Sequence, residues 1–226
     1  MPTHISEQFD LELAQINESL IEMGTLVESQ VNEACNALLL KDLERAEQVR
    51  AAEARVNQIE KDLDDECVAI IAKRQPAASD LRTVVSVMKL ITDLERIGDE
   101  ADRVAKMAIE LLNTQLSREQ HSGFQNVHTA VFQMLRKALD AFARLDVQSA
   151  VQVIEADSKV DAAYTDLMRI TVKSMQDNST DVERDVSVMW AVRSLERIGD
   201  HAKNIGEIVI YRVQGLDVRY GPAPGN

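Results

Sequence analysis

LERIGD occurs twice in the chain, at Leu94–Asp99 and again at Leu195–Asp200. The residues before each copy align at the same offset, so that SVM at Ser86–Met88 matches SVM at Ser187–Met189. The segment that precedes these residues also aligns, with an offset three residues larger. Self-similarity over about a hundred residues is typical of one supersecondary unit that is present twice.

Each repeat is predicted to form three long helices. Apolar residues recur at intervals of three and four, and the only proline between Thr3 and Val213 is Pro76. The pattern predicts an all-α fold of two tandem three-helix bundles, with six long antiparallel helices related by the internal repeat. The predicted helices are Phe9–Leu40, Asp42–Gln75, Ser79–Gln115, Ser117–Leu145, Asp146–Gln176 and Thr180–Val213. The predicted domains are residues 1–116 and 117–213, and an irregular tail is expected over residues 214–226.

Side chains that can cap a helix precede four of these predicted helices. Asp42 and Asp146 stand at N-cap positions, where a carboxylate accepts hydrogen bonds from free backbone amides. The spacing of a capping box, in which Ser or Thr is followed three residues later by Glu or Gln, occurs at Ser117 with Gln120 and at Thr180 with Glu183. The predicted breaks between helices therefore have a chemical basis.

The charge balance excludes several classes of partner. The 226 residues include 38 acids and 25 bases, a formal net charge of −13, which repels nucleic acid and anionic membrane surfaces. No stretch of eighteen apolar residues is available to span a bilayer, and the first residues lack the basic and apolar regions of a signal peptide. We therefore expect a cytoplasmic protein without membrane insertion. Cys35 and Cys67 share no metal-ligand spacing and are expected to be buried free thiols.

Two acids lie on one stripe of the third helix in each repeat. Glu95 and Asp99 are four residues apart, and so are Glu196 and Asp200. Like charges at this spacing repel each other weakly. The simplest interpretation is a solvated face on which neighbouring arginines, such as Arg96, compensate the charge.

The second helix of each repeat places further oxygen donors at the same height as these acids. Asp157 and Asp161 are about as far before the turn as Glu196 and Asp200 are after it, and the first repeat places Glu53 and Asn57 opposite its own pair. We name two groups: the first carboxylate patch is Glu53, Asn57, Glu95, Asp99 and Asp102, and the second carboxylate patch is Asp157, Asp161, Glu196 and Asp200. Lys203 replaces Asp102 in the second repeat. Such all-oxygen sets favour a hard divalent or trivalent cation, magnesium, manganese, calcium or iron, over zinc.

Other residues carry weaker signals. Gly98 and Gly199 lie beside the acids and would let helices approach closely. Met189 and Trp190 have the spacing of core residues, and we expect them to pack inside. His201 points about 100° away from Asp200 and is expected to be exposed.

Several longer motifs resemble one known family. They are IIAKRQPAASDLR at Ile70–Arg82, LDAFARLD at Leu139–Asp146, KVD at Lys159–Asp161, GLDVR at Gly215–Arg219 and both copies of LERIGD. The chain resembles the PhoU family of bacterial phosphate-transport accessory proteins over nearly its whole length. Within the family, an E(D)xxxD pattern binds metal, and here it matches Glu95–Asp99 and Glu196–Asp200. The acids of the second helix are further candidate ligands.

The resemblance also implies a function. It implies a cytoplasmic negative regulator of phosphate uptake and of the phosphate-starvation response, without catalytic activity. The implied partners are the ATP-binding subunit of the phosphate ABC transporter and a sensor histidine kinase, and the implied assembly is a homodimer.

Three alternatives follow from the residues themselves. A di-iron enzyme of the ferritin type needs Glu-x-x-His on two helices, and that spacing does not occur. A metal-dependent phosphatase would need a nucleophile, a histidine cluster or a glycine-rich phosphate loop, and the sequence offers no candidate. A metal-free helical scaffold would keep the fold and leave the acids as solvated charge.

Overall fold

The computed structural model describes residues 7–177 and 182–219, and these residues contain six long helices. In chain order they are α1 (Glu7–Leu40), α2 (Leu43–Arg74), α3 (Ser79–Glu110), α4 (Arg118–Arg144), α5 (Val147–Asp177) and α6 (Val182–Gln214). The predicted all-α class is confirmed. The predicted boundary between residues 116 and 117 lies in the connection from α3 to α4.

Side-chain caps are observed at the starts of α2, α4 and α5. The Asp42 carboxylate accepts a hydrogen bond from the Arg45 amide at 3.1 Å. Ser117 and Gln120 form a complete capping box at the start of α4. Asp146 accepts hydrogen bonds from the backbone amides at the start of α5. The expected box of Thr180 with Glu183 lies partly outside the described residues, because Thr180 is not among them.

The end of α3 differs from the prediction, which placed it at Gln115. The helix ends at Glu110, and the chain then turns, with the Thr114 hydroxyl donating to the Leu111 carbonyl at 3.0 Å. The Lys41 ammonium donates to the Thr114 carbonyl from the α1–α2 turn. Asn and Thr compete with the helical backbone for hydrogen bonds, which favours the early end.

The six helices share one hydrophobic core. Within each repeat the helices pack on one another, and the most extensive contact of the molecule joins α3 to α6 across the two repeats. Buried apolar side chains from all six helices form a single cluster, in which Leu94 and Leu195 are fully buried. Both LERIGD copies therefore lie on the helices that form the seam between the repeats. Cys35 and Cys67 are buried and free, as expected.

Two expectations about single side chains were wrong. Trp190 is 63% exposed, because the buried face of α6 at this level is formed by Val188, Ala191 and Val192. His201 is only partly exposed, since it turns towards α3 and its Nδ1 lies 2.8 Å from Asp93 Oδ1. None of the described helices is long and apolar enough to cross a bilayer.

Candidate carboxylate centres of the two repeats

The first carboxylate patch lies where α2 packs on α3. The pKa of Glu53 is raised to about 7, first by burial and then by the charges of Asp99, Asp102 and Glu95. These three acids belong to α3, so the predicted approach of α2 and α3 acids is present. The pKa of Glu95 is raised as well, first by burial and then by Asp99 and Glu60. The patch therefore carries negative charge that its surroundings do not fully balance.

Glu53 is held against α3 by two features. A methyl group at Gly98 would stand 3.2 Å from Glu53 Oε2, so the glycine leaves the space that this carboxylate occupies. Gln30 of α1 is 3% exposed, and its Nε2 donates to Glu53 Oε2 at 3.4 Å. The other carboxylate oxygen, Glu53 Oε1, is buried without a hydrogen-bond partner, and so is Asn57 Oδ1. Both atoms remain available as donors to a cation.

Asp102 differs from the other members of the first patch. Its carboxylate forms ion pairs with Arg50 Nε at 3.1 Å and with Lys106 Nζ at 2.5 Å. A cation at this position would have to displace two side chains. Glu53, Asn57, Glu95 and Asp99 are thus the more available donors of the patch.

The second carboxylate patch lies between α5 and α6 in the same manner. The pKa of Asp200 is raised by burial and then by the charges of Asp157 and Asp161. The pKa of Glu196 is raised by burial, by Asp200 and by Asp161, while Arg193 opposes the shift. These electrostatic effects show that Asp157, Asp161, Glu196 and Asp200 lie close together, as the sequence predicted.

Two internal cations already balance part of this second patch. Lys203 Nζ lies 2.5 Å from Asp157 Oδ2, and Arg193 Nη1 lies 2.6 Å from Glu196 Oε1. The second oxygen of Glu196 is buried and has no partner. Within residues 7–177 and 182–219, no three His, Cys, Asp or Glu side chains are placed so that they could hold one metal ion. Binding of a cation would therefore require these side chains to rotate and the cation to replace Lys203 and Arg193 as the partner of the acids.

Sequence reasoning missed three groups around the patches. Gln30 is a polar residue among the buried residues of α1, and this polarity inside an apolar stripe was a usable signal. Glu100 is buried between Arg103 and Arg197, at 2.7 and 2.9 Å, and links the two repeats. The pairing of Arg193 with Glu196 follows from their spacing of three residues, but the choice of partner needed the structure.

The donor set fits a hard cation chemically. Carboxylate and amide oxygens predominate, three of these oxygens are buried without partners, and the pKa values of Glu53 and Asp200 are raised first by burial and then by neighbouring acids. No nucleophile has to be invoked at either patch. The arrangement can hold protons, basic side chains or oxygen-loving cations.

Comparison with known proteins identifies the family. A family model described as the PhoU domain matches residues 20–108 and again residues 124–209. The chain belongs to the PhoU domain family. One PhoU match falls on each repeat, which agrees with the duplicated LERIGD motif.

Individual relatives of the PhoU family are similar over nearly their whole length. The phosphate-specific transport system accessory protein PhoU homolog of Pseudomonas putida is 48% identical over 217 residues, which cover 96% of this chain and 85% of that protein. The accessory protein PhoU of Escherichia coli (strain K12) is 39% identical, with coverages of 96% and 90%.

Solved structures of PhoU proteins have the same fold. The crystal structure of PhoU from Pseudomonas aeruginosa matches with a TM-score of 0.89 at 46% identity, and covers 92% of this chain and 100% of that one. The phosphate transport system regulatory protein PhoU from Streptococcus pneumoniae matches with a TM-score of 0.85 at 31% identity, with coverages of 93% and 99%.

Proposed function

We propose that this protein is a regulatory accessory protein of the phosphate-specific transport system, which restrains phosphate uptake and represses the phosphate-starvation response when phosphate is plentiful. The observation that carries the proposal is the pair of PhoU matches, one on each repeat. Relatives named as accessory proteins of that system match 96% of the chain, so the likeness extends over both halves.

In this proposal the protein acts in the cytoplasm by binding other proteins and not by catalysis. The partners are the ATP-binding subunit of the phosphate ABC transporter and a sensor histidine kinase, and the acting form is a homodimer. The shared core and the broad α3–α6 contact support this role, because they give both halves one fixed surface. A fixed surface lowers the entropic cost of docking a partner.

A hard cation, magnesium, manganese or iron, bound at each carboxylate patch is the second part of the proposal. Glu53, Asn57, Glu95 and Asp99 would hold it in the first repeat, and Asp157, Asp161, Glu196 and Asp200 in the second. Its positive charge would lower the repulsion among these acids and make the docking surface less anionic. The buried, unpaired oxygens of Glu53 and Glu196 support this assignment.

One experiment tests the regulatory role directly. The chain is produced in a bacterium that lacks its own PhoU protein and carries a reporter of the phosphate-starvation response. We expect repression of the reporter in phosphate-rich medium and release on starvation. A folded protein that leaves the reporter active at high phosphate would contradict the proposal, and turnover of phosphate esters by the purified protein would favour the phosphatase alternative.

The cation is tested separately with two double variants. Glu196→Gln with Asp200→Asn removes both acids from one stripe of the second patch. The matched control, Asp62→Asn with Glu66→Gln, removes an exposed pair at the same spacing on α2. We expect elemental analysis and calorimetric titration with Mn²⁺ to show one bound ion fewer in the first variant than in the control. Equal Mn²⁺ stoichiometry in both variants would contradict a cation at the second patch, and no binding by the parent protein would favour the metal-free scaffold, for which the pairing of Asp157 with Lys203 is the supporting observation.

A further inference from the structure

A groove of about 420 Å³ lies where the two repeats diverge on the side of α1 and α4. Its floor is formed by Leu90 and Leu94 of α3, both buried, and its walls include Leu139 and Phe142 of α4. Ile21 of α1 stands at the rim and is 60% exposed. Polar side chains, among them Asn17 and Thr25, share the lining with these apolar ones, and a cavity of this size can hold a small molecule.

One charged side chain enters this groove from α6. The guanidinium carbon of Arg212 lies 5.0 Å from the centre of the Phe142 ring, so the cation stacks on an aromatic face within the groove. Burial lowers the pKa of Arg212, and no acidic group opposes this shift. Across residues 7–177 and 182–219, no carboxylate forms an ion pair with Arg212.

An uncompensated cation in a partly buried groove is unusual in a chain with a net charge of −13. Partly buried charges are costly unless an opposite charge or several hydrogen bonds compensate them. Two acids also line the groove: Glu28 is paired with Arg136 at 3.2 Å, and Asp140 is exposed at the rim. The planar guanidinium is suited to a carboxylate, which it can bind through two parallel hydrogen bonds.

We propose that this groove binds a small amphipathic carboxylate, whose anionic head pairs with Arg212 and whose unbranched apolar chain lies along Ile21, Leu139 and Leu145. The head of the ligand matches the cation at the α6 end, and its chain matches the accessible apolar side chains of α1 and α4. Because α1, α3, α4 and α6 all contribute, a bound ligand bridges the two repeats. This site is separate from both carboxylate patches and does not depend on the regulatory function proposed above.

The test uses the full chain and calorimetric titration with decanoate below its micelle concentration. We expect saturable binding of one decanoate per chain, and about tenfold weaker binding of octanoate because two methylene groups are lost. Decanol and decyltrimethylammonium should bind at least about tenfold more weakly than decanoate, since neither offers an anion to the guanidinium. Acetate and inorganic phosphate should not compete with decanoate.

Three variants locate the site. Arg212→Met keeps an apolar side chain of similar length and should weaken decanoate binding at least about tenfold without changing decanol binding. Ile21→Glu adds an acid at the exposed rim and should also weaken decanoate selectively. The control, Arg169→Met, removes an exposed arginine of α5 that neither lines the groove nor pairs with a residue that does, and should keep decanoate affinity within about twofold.

Several outcomes would overturn the proposal. The first three are the absence of saturable decanoate binding, equal affinity for decanoate and decanol, and displacement of decanoate by inorganic phosphate. The fourth is an Arg212→Met variant that is folded by circular dichroism yet binds decanoate with the affinity of the parent. Decanoate should also raise the thermal unfolding midpoint of the parent more than that of Arg212→Met, because only a ligand of the native state stabilises it.

Discussion

Glu53 is the side chain whose ionisation conflicts most clearly with the fold. Its pKa rises from 4.5 to about 7 because it is partly buried and faces Asp99, Asp102 and Glu95, while Gln30 offers a single long hydrogen bond. Below pH 4.5 the carboxyl is protonated in both the folded and the unfolded chain. As the pH rises from 4.5 towards 7, the unfolded chain loses this proton first, so the folded state loses stability.

Glu53→Gln should therefore stabilise the protein at high pH and change little at low pH. In chelated buffer we expect a gain of about 1 to 2 kcal/mol at pH 8, less than the full pKa shift implies because solvent screens this partly exposed group. Urea unfolding at pH 4 and at pH 8 measures the difference. A gain of the same size at both pH values would show that packing, and not charge, is the cause.

Asp185 is a buried acid that is paired through one of its two carboxylate oxygens. It is fully buried, and its Oδ1 accepts from Gln120 Nε2 at 2.8 Å and from Arg184 Nη2 at 2.8 Å. Asp185→Ala removes the carboxylate that both groups face, and the free energy of unfolding should fall by about 3 to 5 kcal/mol. Thermal and urea unfolding provide the measurement.

The matched control for Asp185 is another Asp–Arg pair at the surface. Asp166 lies 3.3 Å from Arg169, and its side chain is 70% exposed. Asp166→Ala should change the free energy of unfolding by no more than about 0.5 kcal/mol. Similar losses in the two variants would mean that burial does not set the strength of the Asp185 pair.

The acids of the two patches could be predicted from the sequence, but the basic side chains that form ion pairs with them could not. The helical period and the repeat place Glu196 and Asp200 on one stripe, and in the structure the charge of Asp200 helps to raise the pKa of Glu196, after burial. The pairing of Lys203 with Asp157 depends on the distance between α5 and α6. That distance is set by packing, for example by Val160, which would contact a methyl group at Gly199 at 3.1 Å.

At the scale of the helices, every predicted start and end lies within two residues of the observed one except the end of α3. N-caps have a short chemical signature, and Asp42, Ser117 and Asp146 all act as predicted. The end of α3 has no such signature, since apolar residues continue past Glu110. Trp190 shows a second limit, because one residue shifts a side chain by about 100° and separates an exposed position from the buried Val188 and Ala191.

The capping box of α4 offers a test at this scale. Ser117 Oγ accepts from the Gln120 amide at 3.1 Å, and Gln120 Oε1 accepts from the Ser117 amide at 3.0 Å. Ser117→Ala removes one half of this exchange and should lower the free energy of unfolding by about 1 kcal/mol. Ser122→Ala, an exposed position inside the same helix, should be neutral or slightly stabilising because alanine favours helix. Urea unfolding compares the two variants, and an equal effect would show that the box contributes nothing.

For the whole molecule, the repeat predicts two similar units but not how they are joined. The LERIGD copies could have faced solvent or different partners. Instead α3 and α6 pack together, and Arg197 reaches the buried Glu100 of the other repeat. Because α3 and α6 are equivalent helices of the two repeats, each one buries its small and apolar residues against the other. This burial requires both repeats to be present.

A shared core predicts that the two repeats unfold together, and the cysteines allow a direct test. The only two cysteines, Cys35 and Cys67, are buried in the first repeat, so the rate of thiol labelling reports opening of that repeat alone. Leu195 is fully buried in the second repeat. Leu195→Ala should cost about 2 to 5 kcal/mol, and in a cooperative molecule it should raise the labelling rate of both distant cysteines at least about thirtyfold.

Leu94→Ala, the equivalent substitution in the first repeat, should raise the labelling rate to a similar extent, whereas Val172→Ala at an exposed position of α5 should leave it unchanged. If Leu195→Ala lowers the urea midpoint seen by circular dichroism while the thiols of Cys35 and Cys67 stay as protected as in the parent, the repeats open independently. The α3–α6 contact would then join two separate folding units, and a cation or partner bound to one repeat could not stabilise the other.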